Sequence, residues 1–455
     1  MSVNTLRAGH KSVLEKIFPD EVLTSPEELV VYSSDASLKR GTPLAVVRPD
    51  RVDQVQALLC WANDEIMPVY IRGSGTNLVG DCVPVRPGIV VSTLKMNRIL
   101  EISGTDFVAV VEPGVNTAEF QAACEARGLY YPPDPATVKA ATIGGNVVTC
   151  AGGMRALKYG VTRDFVLGVE VVLPGGDVVM FGGRNHKNVV GLDVARLIVG
   201  SEGTLGFVSK IWLKLLPKPE ASASLLAGFA SCEHALKAVD AIFQAGILPC
   251  ALEYIGDKII DIMTCAGEVP WPEGVRSVLL VRLDGSREAL RHESERIEKA
   301  MPNIVWSVSG SGAEEEPLWE VRRRINPTVF TLGPDKIVDD VTVPRGRILE
   351  AIIEFEKIAA GHQTTFLNFG HVGDGNIHVN LMYDASDPDQ AVRAEKTRQE
   401  INKAVIALGG TQSGEHGVGI SKDITLQIPL RELEIMRGIK KMFDPKGIMN
   451  PGKGY

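Results

Sequence analysis

The sequence predicts an α+β protein of two or three domains, and three observations predict it. Between residues 224 and 308 two strand–helix–strand units follow one another, the βαβ–βαβ order of a ferredoxin-like antiparallel sheet. Four glycine-rich loops recur within about 140 residues upstream of that region, which suits a scaffold whose backbone repeatedly approaches one extended ligand. A chain of 455 residues, 45% hydrophobic and with a mean hydropathy of +0.07, has ample material for cores. At roughly 100–200 residues per domain it holds two or three of them. Composition also excludes. A net charge of −8 without any basic block argues against a nucleic-acid partner. The seven cysteines (60, 82, 124, 150, 232, 250 and 265) contain no CxxC pair, so a zinc ribbon or iron–sulfur cluster is not expected, and an odd count fits a reducing compartment. Met1–Lys16 lacks the apolar centre of a signal peptide, and no run of about 18 apolar residues is present to cross a membrane. The expected location is the cytoplasm.

In chain order, residues 1–40 predict one or two polar helices. Pro49-Asp50 caps an amphipathic helix with Val52, Val55, Leu58, Leu59 and Ala62 on one face. A strand, Met67–Ile71, runs into Arg72-Gly73-Ser74-Gly75-Thr76-Asn77. Leu78 stands where a GxGxxG turn needs its third glycine, and the next strand, Gly88–Val91, follows without a helix, so a dinucleotide-binding βα turn is not expected. The loop reads instead as a nest of backbone N–H groups for a phosphate or, taken alone, as a surface turn. Phe107–Val111 reads as a strand, and Thr117 caps a helix that Gly128 ends. Pro132–Pro135 leads into Ala141–Asn146 and Ala151–Gly153. Val169–Leu173 and Val178–Phe181 form a hairpin, and Gly200–Gly206 precedes an alternating strand to Leu216.

Pro217-Lys218-Pro219 marks a domain break. Strand Ser224–Phe229, helix Glu233–Ala245 and strand Leu248–Tyr254 follow. The pattern then repeats as Ser277–Leu283, Arg287–Ala300 and Ile304–Val308. In the helix Glu314–Ile325 the apolar stripe is Leu318, Val321 and Ile325. Arg322 projects within it while Arg323 points away. A guanidinium on a buried face needs an anion, and its fork suits a carboxylate. Leu430–Phe443 is an amphipathic helix (Leu430, Leu433, Met436, Ile439, Met442) halted at Asp444-Pro445.

Leu367–Leu381 carries the sharpest chemical signal. Asp374-Gly375 between two apolar-alternating runs is the dipeptide of a two-residue type I′ hairpin. With that turn, His371 lies directly opposite His378 on one face, and two imidazoles side by side make half of a metal site. Gly414-Glu415-His416-Gly417 offers a further ligand, since glycines on both sides allow close approach. The bland alternative is a stacked, solvent-facing histidine pair and an ordinary glycine-rich loop. Asn380, two residues after His378, shares its face of the strand.

Arg-Gly-Ser-Gly-Thr-Asn (72–77), Thr-Ile-Gly-Gly-Asn (142–146), Ser-Glu-Gly-Thr-Leu-Gly (201–206), His-Val-Gly-Asp-Gly-Asn-Ile-His (371–378) and Gly-Glu-His-Gly-Val-Gly (414–419) occur in that order. Together, from about residue 40 onwards, they resemble the FAD-linked oxidases of the vanillyl-alcohol-oxidase type. Within these the match is to the branch of D-lactate dehydrogenase, glycolate oxidase catalytic subunit and D-2-hydroxyglutarate dehydrogenase. The resemblance implies a PCMH-type FAD-binding domain over residues 1–219. It implies a ferredoxin-like cap with substrate and metal sites over 220–418, and a C-terminal segment, 419–455, that packs on the FAD domain. It implies that Arg72, Gly73, Ser74, Gly75, Thr76 and Asn77 hold the FAD pyrophosphate. Thr142, Gly145, Asn146 and Gly152 would line the flavin, Pro133, Asp134, Thr149 and Gly153 would also contact the cofactor, and Asn450 would lie near the flavin ring. Glu202, Gly203 and Val208 would sit by the ribose and adenine. Relatives with covalent flavin often carry histidine where this loop has Thr76, so FAD is expected without a covalent link.

The resemblance places the substrate carboxylate on Arg322, with Lys336 in support and Asn380 as a further contact. The metal, zinc, manganese or iron, is expected on His371, His378 and Glu415, with His416 as general base. Chelation would ease loss of the hydroxyl proton, and hydride would pass from the α-carbon to flavin N5, turning a D-2-hydroxy acid into the 2-oxo acid. Asn326 stands where the 2-hydroxyglutarate enzymes tend to have threonine, which ranks D-lactate or glycolate above D-2-hydroxyglutarate. Electrons would go to an external acceptor: an iron–sulfur subunit, an electron-transfer flavoprotein, a quinone or a cytochrome. Peripheral attachment to the inner membrane through such a partner and a homodimeric state both stay open. A metallohydrolase would leave the glycine-rich loops unexplained, and a non-catalytic flavin-binding protein would be indifferent to the loss of His416.

Overall fold

The computed structural model describes residues 6–267 and 271–454. They form two compact units. The first comprises the chain up to Gly153, Gly160–Lys218 and the segment from Glu415 onwards; the second comprises Met154–Tyr159 and Pro219–Gly414.

In the first unit α1 (Ala8–Ile17) and α2 (Pro26–Tyr32) alternate with β1 (Val22–Leu23) and β2 (Pro43–Val47). Ser25 and Glu28 close a capping box on α2. The next helix, α3 (Val52–Glu65), starts after Arg51, one residue beyond the expected Pro49-Asp50 cap. Asp50 contributes through its N–H, which donates to Gln54 Oε1 at 2.9 Å. The stripe Val55, Leu58, Leu59 and Ala62 is buried as its spacing requires. α3 is the crossover from β2 to β3 (Val69–Arg72), whereas β3 reaches β4 (Gly88–Ser92) through a loop without a helix. The sheet order is β1-β2-β4-β3, with β2, β4 and β3 parallel. A second sheet contains β5 (Ile99–Ser103) and β6 (Val108–Val111). α4 (Thr117–Glu125) follows, and its N-cap is Asn116 rather than Thr117. The Asn116 carboxamide reaches the N–H groups of Ala118 and Glu119, while the Thr117 hydroxyl turns inward to Ala141 O. After β7 (Leu129–Tyr130), α5 (Ile143–Thr149) and the short α6 (Ala156–Tyr159), which belongs to the second unit, the hairpin of β8 (Val166–Val172) and β9 (Val178–Gly182) leads to α7 (Ala195–Ile198), β10 (Phe207–Lys214) and β11 (Leu216–Pro217). The larger sheet is antiparallel in the order β5-β6-β10-β8-β9, and β11 pairs with β7.

The second unit is one seven-stranded antiparallel sheet. Its elements are β12 (Ala221–Phe229), α8 (Cys232–Gln244), β13 (Ala251–Ile255), α9 (Asp257–Cys265), β14 (Ser277–Gly285), α10 (Arg287–Ala300), β15 (Ile304–Ser311) and α11 (Glu315–Thr328). β16 (Asp335–Thr342), α12 (Ile348–Gly361), β17 (Thr365–Gly370), β18 (Asn376–Tyr383) and α13 (Pro388–Ala407) complete it. The order β15-β12-β14-β13 is the ferredoxin-like arrangement, extended on the β13 side by β17-β18-β16. α8, α10, α12 and α13 cover one face, on Leu225, Ala227, Leu252, Tyr254, Val379 and Leu381. α9 and α11 cover the other, on Leu226, Ala251, Ile255, Leu280, Leu367 and Phe369. Burial of each leucine, isoleucine, valine or phenylalanine among these contributes about 1.5–3 kcal/mol. Strand alternation then decides where the polar residues go: Glu253, His378 and Asn380 all point to the α9–α11 face.

The β17–β18 connection differs from the two-residue turn that Asp374-Gly375 predicts. Phe369, not His371, is paired with His378, and residues 371–375 form a longer loop. The N–H groups of Asp374 and Asn376 both donate to His371 O, at 3.2 Å. Only Gly375 of the expected turn pair has positive φ, 93°. The cause is tertiary. Gly373 N–H donates to Leu252 O at 3.3 Å, Val343 N–H donates to Gly375 O at 3.0 Å, and the Asn376 carboxamide is tied to Asp340 and Val341. These neighbours on β13 and β16 outweigh a local turn preference.

The segment from Glu415 runs through α14 (Leu430–Phe443) and returns to β3. Met449 bridges Val69 in parallel, and Asn450 N–H donates to Val69 O at 2.7 Å. Among the described residues no helix is long and apolar enough to cross a membrane.

Candidate active site

The first unit contains one cavity built almost entirely from the glycine-rich loops. Its wall is Gly73–Leu78 after β3, Pro135–Thr137, Ala141–Thr142, Gly144–Asn146, Val148–Thr149 and Ala151–Gly152 around α5, and Val208 on β10. Glu415 and His416 complete it, with Ile71, Asp81, Cys82, Thr93 and Pro113. Thr142 caps α5, its hydroxyl accepting from Gly145 N–H at 3.2 Å. Asn146 Nδ2 donates to Thr117 Oγ1 at 2.9 Å, which fixes the helix against α4. A Cβ at Gly73 would run into the Thr142 hydroxyl, and one at Gly152 would lie 2.8 Å from Glu415 Oε2. Side chains at these positions would fill the cavity, so glycine is required there. Backbone N–H groups and small hydroxyls are the donor set that a pyrophosphate and a polyhydroxyl chain need, and these residues fit FAD.

Of the residues expected to touch such a cofactor, Arg72, Pro133, Asp134, Gly153, Glu202, Gly203 and Asn450 do not lie on this wall, and several of them brace it. Arg72 Nη1 donates to Ser34 O at 2.6 Å, and the guanidinium sits 5.6 Å from the Tyr32 ring centre, where a Cβ on Gly75 would strike it. Pro133 O accepts from Gln121 Nε2 at 2.8 Å. Glu202 accepts the N–H groups of Val418 (2.6 Å) and Gly419, so it holds the loop that carries His416. Burial raises the Glu202 carboxyl above its usual range against the pull of those N–H groups. Asn450 Nδ2 donates to Asp81 O and Glu202 O. Pro135, Ala136, Thr137 and Thr93 lie on the wall although nothing in their residue types marked them.

In the second unit a polar cluster interrupts the α9–α11 face. Glu253, on β13, is fully buried and takes two donors: His371 Nδ1 at 2.5 Å from Oε1 and Arg322 Nε at 2.9 Å from Oε2. Burial alone would push the Glu253 carboxyl up, but His371 and Arg322 reverse this and hold it at about 2. The anion that the Arg322 stripe called for is therefore a residue of the chain. Stripping one partner from such a buried pair costs about 3–5 kcal/mol. The guanidinium lies 4.5 Å above the Phe369 ring centre, which also packs against His378. The loop brings His371 back to His378 even though they are not cross-strand partners: their Nε2 atoms are 3.3 Å apart and the rings meet edge to face. Two nitrogens bound to one tetrahedral ion at about 2.0–2.1 Å stand about 3.3–3.4 Å apart, so the pair fits a divalent metal. Asp340 Oδ1 lies 3.9 Å from His378 Nδ1. Asn380 is buried on the same face, its Nδ2 3.4 Å from His378 O.

Lys336, on β16, donates to the Asn326 carboxamide and sits 4.8 Å from the Phe330 ring centre, and burial lowers its pKa. Asn326 follows Arg322 by one helical turn, so both present to the same face of α11. Glu415 is the residue next to Gly414, whose N–H donates to Asp340 Oδ2 at 3.0 Å. In the first unit His416 Nε2 lies 3.7 Å from Glu415 Oε1. Glu253 and Asp340 escaped the sequence reading. A lone glutamate in the apolar strand Ala-Leu-Glu-Tyr-Ile was the available signal for the first.

Residues 218–454 match the C-terminal domain of the FAD linked oxidases, and residues 43–182 match the FAD binding domain. Glycolate oxidase subunit GlcD of Bacillus subtilis is 40% identical over 94% of this chain and 92% of its own. D-2-hydroxyglutarate dehydrogenase of Stutzerimonas stutzeri is 34% identical over 96% of both. A solved structure of p-cresol methylhydroxylase superposes with a TM-score of 0.80 over 97% of this chain and 95% of its own, at 17% identity, and shares the fold. The glycine-built cavity and the matched domains lead to one conclusion: the chain belongs to the FAD-linked oxidases, in a branch whose relatives are hydroxy-acid oxidoreductases.

Proposed function

We propose that the protein is an FAD-dependent dehydrogenase that oxidises a small D-2-hydroxy acid, D-lactate or glycolate, to the 2-oxo acid and passes the electrons to an external acceptor. The observation that carries this reading is the histidine pair, with Nε2 atoms 3.3 Å apart, joined through Glu253 to Arg322. When bound, FAD supplies a two-electron acceptor and a divalent ion supplies a Lewis acid that eases loss of a hydroxyl proton. His371, His378 and Glu415 would hold the ion. Arg322 would clamp the substrate carboxylate with its Nη fork, its Nε being engaged by Glu253, and Asn380 would add a hydrogen bond. His416, on the wall of the FAD cavity beside Glu415, would take the hydroxyl proton. Carboxylate, hydroxyl and α-hydrogen fixed at three points admit one hand of a chiral substrate.

A second reading has its own support. Lys336 stands beside Asn326, one turn along α11 from Arg322, and could receive the second carboxylate of D-2-hydroxyglutarate. The smaller acids rank first because the Lys336 ammonium is already committed to the Asn326 carboxamide and the Phe330 ring. The deciding experiment is a panel of D-lactate, glycolate, D-2-hydroxyglutarate and the L-enantiomers with an artificial electron acceptor. D-lactate or glycolate should give the highest kcat/KM. A clear preference for D-2-hydroxyglutarate would hand the assignment to the second reading, and equal use of D- and L-lactate would sink the three-point clamp.

A further inference from the structure

We infer that Glu253 is the positioning residue of the metal centre: it holds His371 as the Nδ1–H tautomer, so that Nε2 presents its lone pair to a divalent cation, and the same carboxylate sets the Arg322 guanidinium over Phe369. The inference rests on the metal reading above. An ionised carboxylate can only accept, so the 2.5 Å contact between Glu253 Oε1 and His371 Nδ1 makes Nδ1 the donor. In a neutral ring that leaves Nε2 basic, and Nε2 is the atom 3.3 Å from its counterpart on His378. Asp340 Oδ1 stands 3.9 Å from His378 Nδ1. The two ligands are placed by different means. His378 is placed by strand register on β18, opposite Phe369, whereas His371 rides on a loop and depends on Glu253 for its orientation. The other oxygen of Glu253 accepts Arg322 Nε at 2.9 Å, so one carboxylate aligns a metal ligand and the substrate clamp together.

The test uses the full-length flavin-loaded enzyme and titrates zinc or manganese against a chromogenic chelator. Removing a carboxylate behind a ligating histidine typically weakens metal binding roughly 10–100-fold. Glu253→Gln should do so while flavin content stays at the parent level. If the parent protein binds no divalent ion, the metal reading and this inference fall together. If parent and Glu253→Gln bind equally, the inference alone falls. A measurement on the parent protein decides the matter should the variant not fold. In zinc-loaded enzyme labelled with ¹⁵N-histidine, the His371 signal, assigned by its loss in His371→Gln, should show a protonated Nδ1. A protonated Nε2 would overturn the proposal.

Discussion

Removing Arg322 does two things at once. It takes the clamp from the substrate carboxylate, and it leaves Glu253 buried with one of its two charge partners gone and His371 still bonded to it. Arg322→Ala should therefore lower kcat/KM by the equivalent of about 2–5 kcal/mol and also lower Tm. Arg322→Lys keeps the charge but lacks the fork and should fall between. Parallel kinetics and thermal melts separate the two effects, and an unchanged Tm in Arg322→Ala would show that Glu253 does not depend on the pair. His371→Ala should lose metal while keeping FAD, read by metal analysis and flavin absorbance on one sample; equal metal content in variant and parent would remove His371 from the ligand set. The orientation of Arg322 was legible because a helix fixes which residues share a stripe. Its partner was not, because Glu253 lies 69 residues away and only the packing of α11 on the sheet brings them together.

Elements were legible where one local signal dominated. The stripe of α3, the hairpin of β8 and β9 and the two βα units of the second sheet follow from periodicity and turn chemistry. The β17–β18 connection was not, since contacts to β13 and β16 outweigh the Asp-Gly preference, and α9 and the three added strands carry no mark of their place in the sheet. The β3–β4 loop offers the cleanest test at this scale. Gly75 has φ +74°, and a Cβ there would collide with the Arg72 guanidinium that supports the loop. A β-branched residue in that conformation costs about 1–3 kcal/mol, so Gly75→Val should weaken FAD binding by roughly 5–150-fold. Titration of apoprotein with FAD, followed by flavin fluorescence, checks this. Equal affinity would mean that the loop does not set the cradle.

At the scale of the molecule, the order of motifs carried the fold because each glycine-rich loop must meet the same ligand, whereas the wall residues Pro135, Ala136 and Thr137 are placed only by the folded path of the chain. Thr76 on that wall stands where relatives with covalent flavin often carry histidine, so FAD should come off intact on heat denaturation; yellow colour retained in the precipitated chain would contradict it. The first unit is also discontinuous. Met449 and Asn450 close onto Val69, Glu202 is held by the N–H groups of Val418 and Gly419, and Lys453 donates to Val83 O at 2.8 Å. All of these anchors lie after the whole second unit in order of synthesis. A nascent chain therefore carries an unfinished flavin cradle, with Glu202 unanswered and an edge of β3 exposed, throughout translation of about 200 residues. The second unit can form its sheet on the ribosome, but the flavin cradle is complete only once residues 415–454 have left the exit tunnel, so cofactor capture comes after synthesis of the second unit.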